Sequence, residues 1–181
     1  MSMSPHLPNL TKFYTAIREP QRDYLNYLST IEGLTHTKTV YELVTRGVAA
    51  FLAAQPWEKD AGFEWIKPES YYTLVAGKRH RNGDWLSFNC KLGDIPSEEG
   101  AIIKCKDIMK TLDRLASTVV IPWLSSRNRH THGNGQNTVY YTAICWMIDE
   151  LYPESVYRRP AAKPVTVSLA ALQSVMNPGR A

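Results

Sequence analysis

The run SSRNRHTHGNGQN, residues 125–137, concentrates side chains that can do chemistry. His130 and His132 form an HxH pair of the kind zinc or nickel takes, but two imidazoles are half of a tetrahedral shell and no third or fourth ligand stands nearby in sequence. Arg127, Arg129 and His130, with Asn134 and Gln136, offer instead a set of donors for nucleic-acid phosphates and bases, and the glycines permit close backbone approach. An ordinary polar surface loop would have the same composition. A second basic cluster lies in GKRHRNGD, residues 77–84, where Lys78, Arg79, His80 and Arg81 stand beside an Asn-Gly turn. Such a cluster can embrace a phosphate backbone, or it can keep a strand edge from aggregating.

Nucleophilic catalysis needs a nucleophile with a base. No GxSxG, HExxH, P-loop or dinucleotide-binding fingerprint occurs, so the expectation is a protein that is not an enzyme and uses no cofactor or metal. Cys90, Cys105 and Cys145 are too widely spaced for a metal knuckle and too few for a disulfide framework, which reads as reduced core residues in a cytoplasmic protein. No apolar run approaches the roughly 20 residues that cross a bilayer, and the first ten residues lack the charged and apolar regions of a signal peptide. The formal charge of +4 favours an acidic partner such as nucleic acid without requiring one.

The elements that must position these groups follow from changes of period. From Lys12 to Glu19 residues alternate, with Phe13, Thr15 and Ile17 on one face and Lys12, Tyr14, Ala16 and Arg18 on the other, which is a strand. Pro20 ends it and suits a first helical turn. Tyr24, Leu25, Leu28 and Ile31 then recur at helical spacing up to Gly33. Thr35 or Thr37 can cap a second helix whose apolar residues run from Val40 to Leu52, before Pro56. One strand and two helices cannot bury their own apolar faces, and a lone strand leaves its backbone groups unpaired, so the unit calls for a second copy.

The strand before a proline (IREP), the first helix ending in glycine (YLSTIEG) and the segment GLTHTKTVYELV together resemble the ribbon-helix-helix family over residues 10 to 55. The resemblance implies a homodimer whose paired strands enter the major groove of double-stranded DNA, while the second helix's N-terminus holds a phosphate. It implies Lys12, Tyr14 and Arg18 as base-facing residues and Thr35, His36, Thr37 and Lys38 as the phosphate clamp.

Beyond Pro56 the reading rests on residues alone. PWEKDAGFEWIKP, residues 56–68, is a connector whose Trp57 and Trp65 can pack one module on the next. YYTLVAGK and WLSFNCKL alternate on either side of Asn82-Gly83, the strongest short signal for a β-hairpin, with Leu86, Phe88, Cys90 and Leu92 inward. Ser97, Glu98 and Glu99 read as a helix start, with Ile102, Cys105, Met109, Leu112, Ala116 and Val119 lining one face until Pro122. A further helix is expected from about Thr138 to Tyr152. In the Pro/Ala-rich tail, Ser168 can cap a short helix carrying Leu169, Leu172, Val175 and Met176, too short to stand alone and so docked on the body or on a protein partner.

The expected architecture is therefore α+β: a ribbon-helix-helix module over residues 1–57, an α+β domain of β-hairpin plus helices over 58–157, and an extended tail over 158–181. The leading functional expectation is a dimeric, sequence-specific DNA-binding protein, either a transcriptional regulator or an accessory factor of plasmid or mobile-element DNA processing. Lys78, Arg79, Arg81, Arg127, Arg129 and His130 would add backbone contacts. The alternative is a non-enzymatic subunit of a larger protein or ribonucleoprotein assembly that touches RNA or single-stranded DNA.

Overall fold

The alternation near the N-terminus becomes strand β1 (Thr11–Arg18), in which Phe13, Thr15 and Ile17 are fully buried while Lys12, Tyr14 and Arg18 face solvent. A computed structural model describes residues 9–31, 39–127, 134–153 and 165–178. Pro20 sits in the first turn of helix α1 (Glu19–Ile31), where a missing backbone N–H costs nothing. Helix α2 (Thr39–Ala54) buries Leu43, Val44, Val48, Phe51 and Leu52 at the expected spacing. Gly33 and the supposed clamp Thr35, His36, Thr37 and Lys38 lie outside the described residues.

The partner of β1 differs from the expectation. Instead of a second chain, β1 pairs antiparallel along its whole length with β4 (Trp85–Leu92) of the same chain, from Thr11 opposite Leu92 to Arg18 opposite Trp85. The physical requirement itself holds, since a strand must satisfy its backbone groups. An alternating segment later in the chain meets it, because Phe88, Cys90 and Leu92 bury beside Phe13 and Ile17.

The connector packs as its tryptophans suggest. After α3 (Pro56–Lys59), Trp57 and Trp65 stack with centroids 5.9 Å apart, and both lie against Phe51 of α2, at 5.2 and 6.1 Å. The hairpin that follows is displaced from Asn82-Gly83. Strands β2 (Tyr72–Val75) and β3 (Lys78–Arg81) pair around Ala76-Gly77, whose φ angles of 51° and 75° are those of a two-residue turn matched to strand twist. Asn82-Gly83 turns the chain out of this arm into β4, closed by the Trp85 N–H donating to the Asn82 carbonyl at 3.1 Å.

Ser97-Glu98-Glu99 does not open a helix. It forms the tight turn between two short strands, β5 (Ile95–Pro96) and β6 (Ile102–Ile103), with Gly100 at φ 81°. Helix α4 (Cys105–Leu115) starts later, where Asp94 accepts from the Cys105 N–H at 2.9 Å. Pro122 does not end this helical run either. A wider π turn, Ala116–Val120, precedes α5 (Ile121–Ser126) and places Pro122 in that helix's first turn. Helix α6 (Asn134–Trp146) begins four residues before Thr138 and continues as a π turn over Met147–Leu151.

The tail helix α7 (Leu169–Met176) docks on the body. Ser168 caps it by accepting from the Ala171 N–H, Leu172 and Val175 are buried, and Arg114 donates to the Val175 and Met176 carbonyls. Phe13, Leu43, Trp65, Leu112, Ile144 and Leu172 belong to one buried cluster, so the core runs across the boundaries expected at 57 and 157. Two-stranded antiparallel sheets set among helices give an α+β architecture.

Candidate nucleic-acid interface

Residues directly opposite on an antiparallel ladder share a face, so the register determines what the β1–β4 ribbon shows to solvent. Lys12 stands opposite Lys91, Tyr14 opposite Asn89, Ala16 opposite Ser87 and Arg18 opposite Trp85. The reverse face, with Phe13, Ile17, Phe88 and Cys90, is buried, and Phe13 stacks on Tyr140 of α6 at 4.7 Å. The three expected base-facing residues thus share one exposed surface, joined by Ser87, Asn89 and Lys91 of β4, which the sequence reading did not single out, while Trp85 is half-buried with its ring 5.3 Å from that of Tyr141. Their signal was present: Trp85, Ser87, Asn89 and Lys91 are the polar phase of the alternation whose apolar phase was used.

The β2–β3 arm stands at the edge of this surface. Tyr14 lies beside Tyr71, and its hydroxyl, more than any other influence, raises Tyr71 above the ordinary tyrosine range. Tyr71 meets Tyr72 edge to face at 5.0 Å, and the Arg79 guanidinium lies over the Tyr72 ring at 4.5 Å. Tyr14, Tyr71, Tyr72 and Arg79 are therefore a connected chain of rings ending in a cation. Lys78, Arg79, His80 and Arg81 are all exposed, as are Leu74 and Val75 at the arm's tip.

The basic residues are not equally available. Arg18 donates to both carboxylate oxygens of Asp84 and its guanidinium sits 5.7 Å from the Trp85 ring; Arg81 is ion-paired with Glu19. Among the described residues Lys12, Lys91, Lys78 and Arg79 have no carboxylate within ion-pair distance, and they form the cationic part of the surface.

The loop that looked most site-like in sequence is divided. Arg129, His130 and His132 lie outside the described residues. Arg127 touches the Trp123 ring, at 4.0 Å, and the Ser126 hydroxyl, both in α5. Gln136 is in α6 and donates to Asp113 at 3.1 Å. Gly135 serves packing, since a Cβ there would meet Ile121 Cγ1 at 3.0 Å and the Ala116 carbonyl at 3.3 Å. The described members of this run thus belong to helix contacts, and none of the contacts given for Arg127 or Gln136 reaches the ribbon.

No family model, curated protein or solved structure matches the chain. The likeness to ribbon-helix-helix proteins remains one of local pattern over residues 10 to 55.

Burial pushes Cys90 up to about 12 and, with the Asp94 carboxylate beside it, Cys105 up to about 11; burial also raises Cys145. Among the described residues no group of three His, Cys, Asp or Glu side chains is placed to hold a metal ion, and no helix is long and apolar enough to cross a membrane.

Proposed function

We propose that the protein binds nucleic acid, without chemistry of its own, through the outer face of the β1–β4 ribbon and the adjoining β2–β3 arm, and that it takes strands with unpaired bases. The observation that carries this reading is the run of rings Tyr14, Tyr71 and Tyr72, the first exposed and the other two half-buried, continued by Arg79 and flanked by Lys12, Lys91 and Lys78. Aromatic faces stack on any base, at about 1–3 kcal/mol per base, and a cationic groove follows the backbone. Duplex DNA presents its bases stacked on one another, so such rings would find no π-face in a groove.

The major-groove reading implied by the ribbon-helix-helix resemblance uses the same face, since a two-stranded ribbon fits that groove. In this chain β4 completes the ribbon, so a second copy is not needed to form it.

The test is fluorescence anisotropy with a labelled 12-nucleotide single strand and with its duplex, each across a salt series. Tighter binding of the single strand, weakened by Tyr14→Ala or Tyr72→Ala, is expected. Binding confined to the duplex would return the regulator reading, and binding to neither would overturn both.

A further inference from the structure

A concavity of about 380 Å³ opens at the Lys12/Lys91 end of the ribbon, lined on the ribbon side by Tyr14 and Asn89 and on the other by Tyr41 from the first turn of α2. Its position is held firmly. Thr45 of α2 donates to the Tyr41 carbonyl at 2.6 Å and accepts from the Gly93 N–H at 3.2 Å, tying Tyr41's turn to the end of β4.

We infer that this concavity takes a single unstacked nucleobase together with its phosphate; the inference rests on the nucleic-acid reading above and names a subsite within it. Each part of such a ligand has a partner of matching chemistry. The rings of Tyr14 and Tyr41 offer flat apolar walls for a base. Asn89 spends one N–H on the Ser87 hydroxyl, at 3.4 Å, and keeps its carbonyl oxygen and second N–H for a base edge, which always presents donors and acceptors side by side. Lys12 and Lys91, directly opposite on the ladder, supply two cations for one phosphate. The lining contains no carboxylate, so nothing in it opposes an anion. The volume is at the lower end of small-ligand sites, fitting one nucleotide rather than a stacked pair.

This subsite differs from the ring-and-cation surface in what it reads. Stacking on Tyr71 and Tyr72 is indifferent to base identity, whereas an amide facing a base edge distinguishes one hydrogen-bond pattern from another, so it would give the protein a base preference at one position of the strand.

The experiment is a titration of ¹⁵N-labelled full-length protein with a nucleoside 5′-monophosphate and, separately, with the 12-nucleotide strand, following the Asn89 side-chain amide and the Tyr41 backbone amide. Saturable shifts of both signals with the strand are expected, and in Asn89→Leu the loss of the Tyr41 shift. In that variant strand affinity should drop at least fivefold at unchanged salt slope, because no cation is removed. Lys12→Gln with Lys91→Gln should instead flatten the slope of log affinity against log salt by about 0.7 units, the value for one single-strand phosphate contact. Shifts produced by the free monophosphate as well would identify a soluble nucleotide as an equal occupant and would still support the subsite. If the strand binds while neither signal moves, the subsite is overturned and the wider nucleic-acid reading stands. If the strand does not bind and the monophosphate moves nothing, both are overturned.

Discussion

Arg18 Nε and Nη2 reach the two carboxylate oxygens of Asp84 at 2.9 to 3.2 Å, so the β1 cation expected to read bases is held by the turn that leads into β4. Both side chains are partly exposed, at 53% for Arg18 and 33% for Asp84, and water screens the pair. Asp84 therefore limits what Arg18 can offer a phosphate without contributing much to folding. Asp84→Asn should raise affinity for a single-stranded oligonucleotide severalfold and steepen its salt dependence by somewhat under one unit, and Arg18→Ala in the same background should remove the gain. Anisotropy titrations at several salt concentrations measure both. An unchanged slope would place Arg18 outside the contact surface.

Glu99 accepts from the Ser168 hydroxyl and from the Leu169 N–H, the latter at 2.8 Å, so a carboxylate in the β5–β6 turn caps α7. These bonds, the Ser168 hydroxyl first, lower the carboxyl from its ordinary 4.5 to about 2. A depressed folded-state value means the stabilisation is complete above the unfolded value and disappears as pH falls through the folded one. Glu99→Gln should lower thermal stability above about pH 4.5 and differ progressively less from the parent between pH 4.5 and 2. Paired melting curves across that range check it, and a pH-independent difference would mean the charge is not what caps α7.

Gly47 lies where α2 meets the π turn following α6, and a Cβ there would stand 2.5 Å from Met147 Sδ. In an open helix Gly→Ala would gain about 0.5–1 kcal/mol. Here the fully buried Met147 must shift in a packed core, at about 1–3 kcal/mol. Gly47→Ala should thus leave the protein about 1–2 kcal/mol less stable to urea, whereas in a Met147→Ala background the same change should be neutral or stabilising. Additive effects in that cycle would show that the two residues do not meet.

Cys90 and Cys105 are buried and their thiols are held near 12 and 11, while burial also raises Cys145. At pH 8 the folded protein should show no rapid reaction with an aromatic disulfide reagent, and all three thiols should react once urea unfolds it. A fast phase equal to one thiol in the folded state would reveal an accessible thiolate.

Local patterns carried the identity of most elements. The alternation from Thr11 to Arg18, Pro20 in a first helical turn, the apolar spacing of α2 and the Ser168 cap of α7 each depend on residues within a few positions of one another, and backbone geometry turns such spacing directly into a strand face or a helix stripe. Two local signals were overridden. Asn82-Gly83 is the stronger hairpin signal, yet the two-residue turn forms at Ala76-Gly77, because β4 gains more by burying Phe88, Cys90 and Leu92 beside β1 than by pairing with β2. Ser97-Glu98-Glu99 has the acidic composition of a helix start, and its Glu99 does serve a helix start, but that of α7, about seventy residues away.

What remained for the tertiary structure to decide was partnership. Backbone hydrogen bonds are the same for every strand, so alternation alone cannot say whether β1 pairs with a second chain or with β4, and closing the long loop between them costs only the logarithm of its length. Once β4 is chosen, the register sets Lys12 against Lys91 and Tyr14 against Asn89, and the packing of α2 brings Tyr41 beside them. Lys12, Tyr14, Lys78 and Arg79 of the candidate site were legible in the sequence, whereas Tyr41, Tyr71, Tyr72, Asn89 and Lys91 joined them only as a consequence of which two distant strands could bury their apolar faces together.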